Sequence, residues 1–321
     1  MWKSSSSRIF ASVLVLAAAI APGLAGAARS ADHSLPSRNG RIAFERVSPG
    51  SPVAIYTIKP DGSGLRRLSR PGLVADDPAW SPDGRQLAFR LYGKVQGQNN
   101  DLYLMRADGS GVRRLTNDPD TDQDASWSPD GRRIAYDRSG VGGEIWVIRV
   151  DGSHPRRLTT GFFDEQPTWS PDGKTIAFVR QSLDFSTGVN IWVMRPDGSG
   201  QREMFPGRSR GSDPVWSPDG TKLVFTDGIS LYTVTRAGSL KVVTELGGPS
   251  GERVAPVPAW SPDGRKIVFA QLRPGLPSPT PVQTFSDLWV INADGSGRKQ
   301  LTTSPLNDYR PSWQRAPVPA G

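Results

Sequence analysis

The chain has 321 residues, 36% of them hydrophobic, with 35 Gly, 29 Pro, ten Trp, two His and no Cys. That length and composition suit a globular protein with one large core or two ordinary ones. The absence of Cys excludes a disulfide scaffold, a thiolate nucleophile and Cys-ligated zinc or iron–sulfur, and two His exclude a His-rich metal centre. The 39 Lys and Arg against 31 Asp and Glu give +8, and the distribution of that charge matters more than its sum.

Residues 1–28 form a secretory signal in outline. Lys3 and Arg8 make a basic start, Ile9 to Ile20 is apolar, Pro22-Gly23 breaks the run, and Ala25-Gly26-Ala27 supplies the small residues of a cleavage site. The run is short for a bilayer core of about 30 Å, and no later segment approaches about 18 apolar residues, so no transmembrane segment is expected after cleavage. Without Lys3 and Arg8 the balance is 37 against 31, or +6. A secreted, periplasmic or cell-envelope location follows. Residues 29–40 read as a linker, 41–314 as one repetitive domain and 315–321 as a tail.

The repeat is the pentapeptide Trp-Ser-Pro-Asp-Gly, beginning at Trp80, Trp127, Trp169, Trp216 and Trp260, with a degenerate copy at Trp313. The intervals are 47, 42, 47, 44 and 53 residues, the spacing of a repeat architecture. Each copy precedes an apolar strand such as Leu87-Ala88-Phe89. After a variable gap comes an alternating strand such as Asp101-Leu102-Tyr103-Leu104-Met105, an Asp-Gly-Ser turn and a short fourth strand such as Val112-Arg113-Arg114-Leu115. Pro fits the second position of a type I turn, Asp the third, and Gly the left-handed position that follows. The first blade, from Ile42-Ala43-Phe44 to Leu65-Arg66-Arg67-Leu68, lacks a Trp strand, and the C-terminus has a spare one, Ser312-Trp313-Gln314. The expected fold is therefore all-β: a six-bladed propeller of four-stranded blades, closed by the Trp313 strand joining blade one.

These motifs resemble the PD40 (WD40-like) repeat family and, in layout, TolB-like propellers of the periplasmic Tol–Pal system. The resemblance covers roughly residues 41–314. It implies an exported, non-enzymatic scaffold that binds a protein or peptide partner in the cell envelope. The repeats are also similar to the propellers of prolyl-oligopeptidase-like peptidases, but no Gly-x-Ser-x-Gly elbow lies between a strand and a helix here and no Ser hydrolase domain fits.

Topology points to the site. Both repeated turns fall on one face of such a blade, and the second-to-third and fourth-to-first connections fall on the other, where binding residues tend to gather. The longest second-to-third loops are 91–100, 181–189 and 272–286. The fourth-to-first connections carry Asp77, Asp122, Asp124, Asp164, Glu165, Asp213 and Asp308, an expected acidic funnel on a basic body. Two repeats depart from that pattern: Val257 and its prolines precede Trp260, and Arg310 precedes Trp313. Clustered carboxylates suit a basic partner segment or a hard cation such as Ca2+; otherwise they bond loop N–H groups. No cofactor is required. The alternative function is an envelope glycan hydrolase or lyase using a carboxylate pair, or a Ca2+-dependent carbohydrate-binding propeller. His33 falls in the linker and His154 in a turn, so neither suits catalysis, and the Trp residues are expected between blades rather than in a sugar-binding ladder. Export and a dispersed basic rim argue against nucleic acid. A monomer is expected.

Overall fold

In the computed structural model the described residues are 38–48, 50–93, 100–140, 142–182, 188–206, 211–246, 256–273 and 286–316. The expected signal, nearly all of the linker, most of the three long second-to-third loops and most of the tail lie outside them. Residues from Ser37 onward make one compact unit. Among the described residues no helix is long and apolar enough to cross a membrane.

The strands of the described residues group into six antiparallel sheets of four. In blade 2 the inner strand is Ala75–Trp80, followed outward by Gln86–Leu91, Asp101–Arg106 and Arg113–Arg114. Blades 3 to 6 repeat this order, with inner strands Thr121–Trp127, Phe163–Trp169, Ser212–Trp216 and Ala259–Trp260. Blade 1 is composite: Asn307–Arg315 pairs with Asn39–Val47, aligning Trp313 with Ile42 and Asp308 with Arg46. Neighbouring inner strands touch all the way round, so the ring is closed.

Local chemistry accounts for the repetition. In the first Ser-Pro-Asp-Gly turn, Gly84 N–H donates to Ser81 O at 2.9 Å. Asp83 Oδ1 accepts from Ser81 Oγ at 2.6 Å and from Arg85 N–H at 3.0 Å. Gly84 has φ of 68°, a conformation that glycine adopts without the Cβ penalty. The copies at Ser128, Ser170, Ser217 and Ser261 make the same Ser–Asp bond.

The core lies between blades. One cluster joins Ala88, Leu102 and Leu104 of blade 2 to Trp127, Ile134, Tyr136 and Ile148 of blade 3. Each fully buried large side chain there stabilises the fold by about 1.5–3 kcal/mol. The six repeat tryptophans, Trp80, Trp127, Trp169, Trp216, Trp260 and Trp313, are all buried. Trp127 Nε1–H donates to Ala79 O of the previous blade at 3.0 Å, and Trp260 to Val215 O at 3.2 Å. These indoles are inter-blade core.

Candidate functional site

The inner strands of blades 2 to 5 carry the same irregularity. Pairing with the second strand skips between Asp76 and Ala79, Gln123 and Ser126, Glu165 and Thr168, and Ser212 and Val215. The residue three positions before each Trp has positive φ: Asp77 50°, Asp124 50°, Gln166 55°, Asp213 53°, Val257 33° and Arg310 45°. This conformation costs a residue with a Cβ about 1–2 kcal/mol, and Asp tolerates it better than most because its short side chain bonds locally. Three of the six are Asp. The bulge re-aims one side chain per blade. The aim is inward, because Arg310 of blade 1 reaches Asp124 of blade 3.

Arg310 is the hub. Its guanidinium is hydrogen-bonded to Asp77 and, at 2.8 Å, to Asp124, and lies 3.6 Å from Glu45. Asp77 N–H donates to Glu45 Oε1 at 2.8 Å. Across the channel, Gln166 Nε2–H donates to Asp213 Oδ1 at 2.9 Å, and Asp213 N–H returns a bond to Gln166 Oε1 at 2.8 Å. Gln166 N–H donates to the buried Asp137 at 3.2 Å. Six carboxyl groups (Glu45, Asp77, Asp124, Asp137, Glu165 and Asp213) thus gather in one network centred on Arg310, with Arg90 a further 3.4 Å from Asp77.

That imbalance sets the protonation. Burial, with the Asp77 charge adding to it, pushes Glu45 up to about 8. Burial and the nearby Asp124 push Asp77 up to about 7, although Arg310 and Arg90 pull the other way. Asp213 is ringed by protein and is pushed up to about 6 against the pull of Arg310. Asp137 is raised by burial and then by Asp124, and Glu165 likewise. Arg310, even with Arg90 beside Asp77, cannot hold so many carboxylates ionised in a partly dry channel.

The other expected funnel residues sit differently. Asp122, Asp164 and Asp308 are fully buried, each facing an arginine directly across the strand pair. Arg138 Nε meets Asp122 at 2.8 Å, Arg180 Nε meets Asp164 at 2.6 Å, and Arg46 Nε meets Asp308 at 2.6 Å. Asp76 and Arg90 repeat the pair at 2.7 Å. Each arginine also covers an aromatic face, Arg180 lying 4.7 Å from the Trp192 ring centre and Arg46 lying 5.2 Å from that of Tyr56. These pairs join the two innermost strands of four blades. Burial raises Asp122 to about 6 against its arginine bonds, and raises Asp308.

Among the described residues no three His, Cys, Asp or Glu side chains converge as metal ligands. His154 is exposed with φ of 56° and bonds Ser153 Oγ at 2.9 Å. It takes the left-handed turn position that Gly64, Gly111, Gly200 and Gly297 hold in other blades.

The model of the PD40 family, described as the TolB beta propeller domain, matches residues 37–243. The chain belongs to this family. A Tol-Pal system protein TolB of Anaeromyxobacter dehalogenans is 39% identical over 182 residues, covering 52% of this chain and 37% of that protein. The chain thus spans well under half the length of that relative. An uncharacterized protein of Agrobacterium fabrum is 32% identical over 204 residues, with 60% of this chain and 68% of the relative covered. In structure, the chain is similar to TolB from Acinetobacter baumannii, at a TM-score of 0.71 and 19% identity, over 86% of this chain and 66% of that one. It is also similar to an oligogalacturonate lyase from Vibrio parahaemolyticus, at 0.51 and 15% identity, over 71% of each chain. At such identities the likeness is one of fold.

Within this PD40 propeller, Asp77, Asp124, Glu165 and Asp213 are brought together. Three partners escape the sequence reading. Glu45 and Asp137 come from second strands of the preceding blades, and Arg310 sits in the same column as Asp77, Asp124 and Asp213. The signal that finds Arg310 is its position three residues before Trp313.

Proposed function

We propose that this propeller is an exported, non-enzymatic binding protein. Its acidic channel mouth takes a basic segment of a protein or peptide partner in the cell envelope. The observation that carries this reading is a ring of carboxyl groups that outnumber the cations beside them, Arg310 at the centre and Arg90 3.4 Å from Asp77. Asp124, Glu165 and Asp213 remain partly open to solvent beside it. The network already contains the interaction it would offer, a guanidinium held by Asp77 and Asp124, and charge-assisted bonds of this kind are strong and directional. An arginine or lysine from a partner would meet the carboxylates that Arg310 leaves unserved. Membership of a TolB propeller family supports a protein as the partner. With a guanidinium already among them and several carboxyls held protonated, these acids suit a basic side chain better than Ca2+, and no cofactor is invoked. Affinity capture from envelope extract tests the reading. Wild-type protein is expected to retain a partner that the Asp124→Asn/Glu165→Gln/Asp213→Asn variant loses. Equal capture by both would count against the acidic mouth.

A further inference from the structure

The turn face has its own charge pattern, which the channel does not use. In blade 2, Arg85 follows the Ser-Pro-Asp-Gly turn, Arg106 ends the third strand and Arg113 opens the fourth. Together they line an open cavity of about 660 Å3. Backbone bonds hold the triad together, since Ala107 N–H donates to Arg85 O at 2.9 Å. Blade 3 repeats it with Arg132, Arg149 and Arg156, and blade 4 with Lys174, Arg195 and Arg202. All nine are exposed, and the ion pairs of the described residues involve none of them.

Acids do occur on this face, but they are drawn into their own turns. Asp108 accepts from Ser110 N–H at 2.8 Å, Asp151 from Ser153 N–H at 2.8 Å and Asp197 from Ser199 N–H at 2.9 Å. Their short side chains stay at the backbone, while arginine and lysine reach further outward. The first cation of the fourth strands of blades 1 to 3 meets a neutral carbonyl, as from Arg66 to Asp108 O at 3.0 Å, whereas the second cations Arg114 and Arg157 pair with Asp101 and Glu144. A bond to a carbonyl leaves the positive charge uncompensated. Exposed leucines stand beside these cations: Leu65, next to Arg66, is 47% exposed, and Leu240, next to Lys241, is 37% exposed.

We propose that the turn face docks on a bilayer surface containing anionic phospholipid. The cations are spread over a broad face in successive blades and form no groove, which fits a charged plane better than a linear polymer. Leu65 and Leu240, beside Arg66 and Lys241 in the flanking blades 1 and 5, can enter the headgroup region, as apolar residues of peripheral proteins do. Each Lys or Arg near an anionic leaflet adds roughly 1 kcal/mol of attraction. Because blade topology puts the acidic mouth on the opposite side, docking would turn that mouth away from the membrane. This last point rests on the function proposed above; the docking itself does not.

Co-sedimentation with vesicles of phosphatidylcholine, with or without about 30% phosphatidylglycerol, tests the proposal. Wild-type protein is expected to pellet with the anionic vesicles alone, and progressively less between about 0.05 M and about 0.3 M salt. The Arg106→Glu/Arg149→Glu/Arg195→Glu variant alters exposed strand ends, with an unchanged melting temperature showing that it folds. It should bind at least about tenfold less, and Leu65→Ser/Leu240→Ser should weaken binding further. Asp124→Asn should bind vesicles like wild type, which separates this result from the channel. Equal pelleting with pure phosphatidylcholine, undiminished binding by the charge-reversed variant, or capture on an anionic polysaccharide resin without vesicle binding would each overturn the proposal.

Discussion

Replacing Arg310 with methionine should destabilise the protein much more at alkaline than at mildly acidic pH. The side chain contacts Asp77 and Asp124 and stands 3.6 Å from Glu45. A carboxyl whose pKa is higher in the fold than in the unfolded chain binds extra proton when folded, so its contribution to stability is lost as pH rises. For Glu45 that window runs from the ordinary 4.5 to about 8, and for Asp77 from 3.8 to about 7. Near pH 5.5 both still carry protons, and loss of Arg310 removes little more than a charged hydrogen bond, about 1.5–3 kcal/mol. Near pH 8.5 it leaves the buried, ionised carboxylates with only Arg90, 3.4 Å from Asp77, beside them, at a cost of about 3–5 kcal/mol. At roughly 2–4 °C per kcal/mol for a domain of this size, the melting temperature should fall several degrees further at the higher pH. Calorimetric scans of both proteins at the two pH values measure this. An equal loss at both would refute the charge imbalance assigned to the channel.

Glu45→Gln removes one titrating group from the same network, so the decline in wild-type stability between about pH 5 and about pH 8 should flatten, as read by thermal melts. Arg180→Met strands the fully buried Asp164 and should cost about 3–5 kcal/mol in denaturant unfolding. Adding Asp164→Ser, which removes the stranded carboxylate, should recover much of that loss. Gly84→Ala and Gly131→Ala differ only in surroundings, both glycines having φ of 68°. A Cβ at Gly84 would lie 1.9 Å from Arg315 O, whereas at Gly131 nothing lies within 4 Å. Gly131→Ala should cost about 1–2 kcal/mol and Gly84→Ala clearly more. Ca2+ titration after chelation should leave the melting temperature unchanged; a rise would give the carboxylates a cation after all.

The fold was legible because its determinants are local and repeated. Ser81, Pro82, Asp83 and Gly84 contain the whole hydrogen-bonding logic of their turn. The missing Trp strand of blade 1 and the spare Ser312-Trp313-Gln314 imply each other. The site was legible in half. Asp77, Asp124 and Asp213 stand three residues before a Trp and Asp122, Asp164 and Asp308 five before, but which offset turns into the channel is not written in residue type. Cross-strand register makes the difference. Asp164 lies directly opposite Arg180 and is neutralised there, while Asp213 occupies a bulge and turns inward. The inward position also explains Arg310, which in sequence interrupts an acidic pattern and in space completes it. Glu45 and Asp137 belong to the preceding blades, and only the packing of one blade on the next brings them to Asp77 and Gln166.

Photo-crosslinking tests the channel account most directly. A photoreactive side chain replaces Glu165 at the acidic mouth or Thr221 on the opposite face, and each protein is exposed to envelope extract. The account predicts a protein adduct from position 165, absent from position 221 and lost when Asp124 and Asp213 become asparagine. An adduct from position 221 alone, or one at 165 that survives loss of both carboxylates, would contradict it.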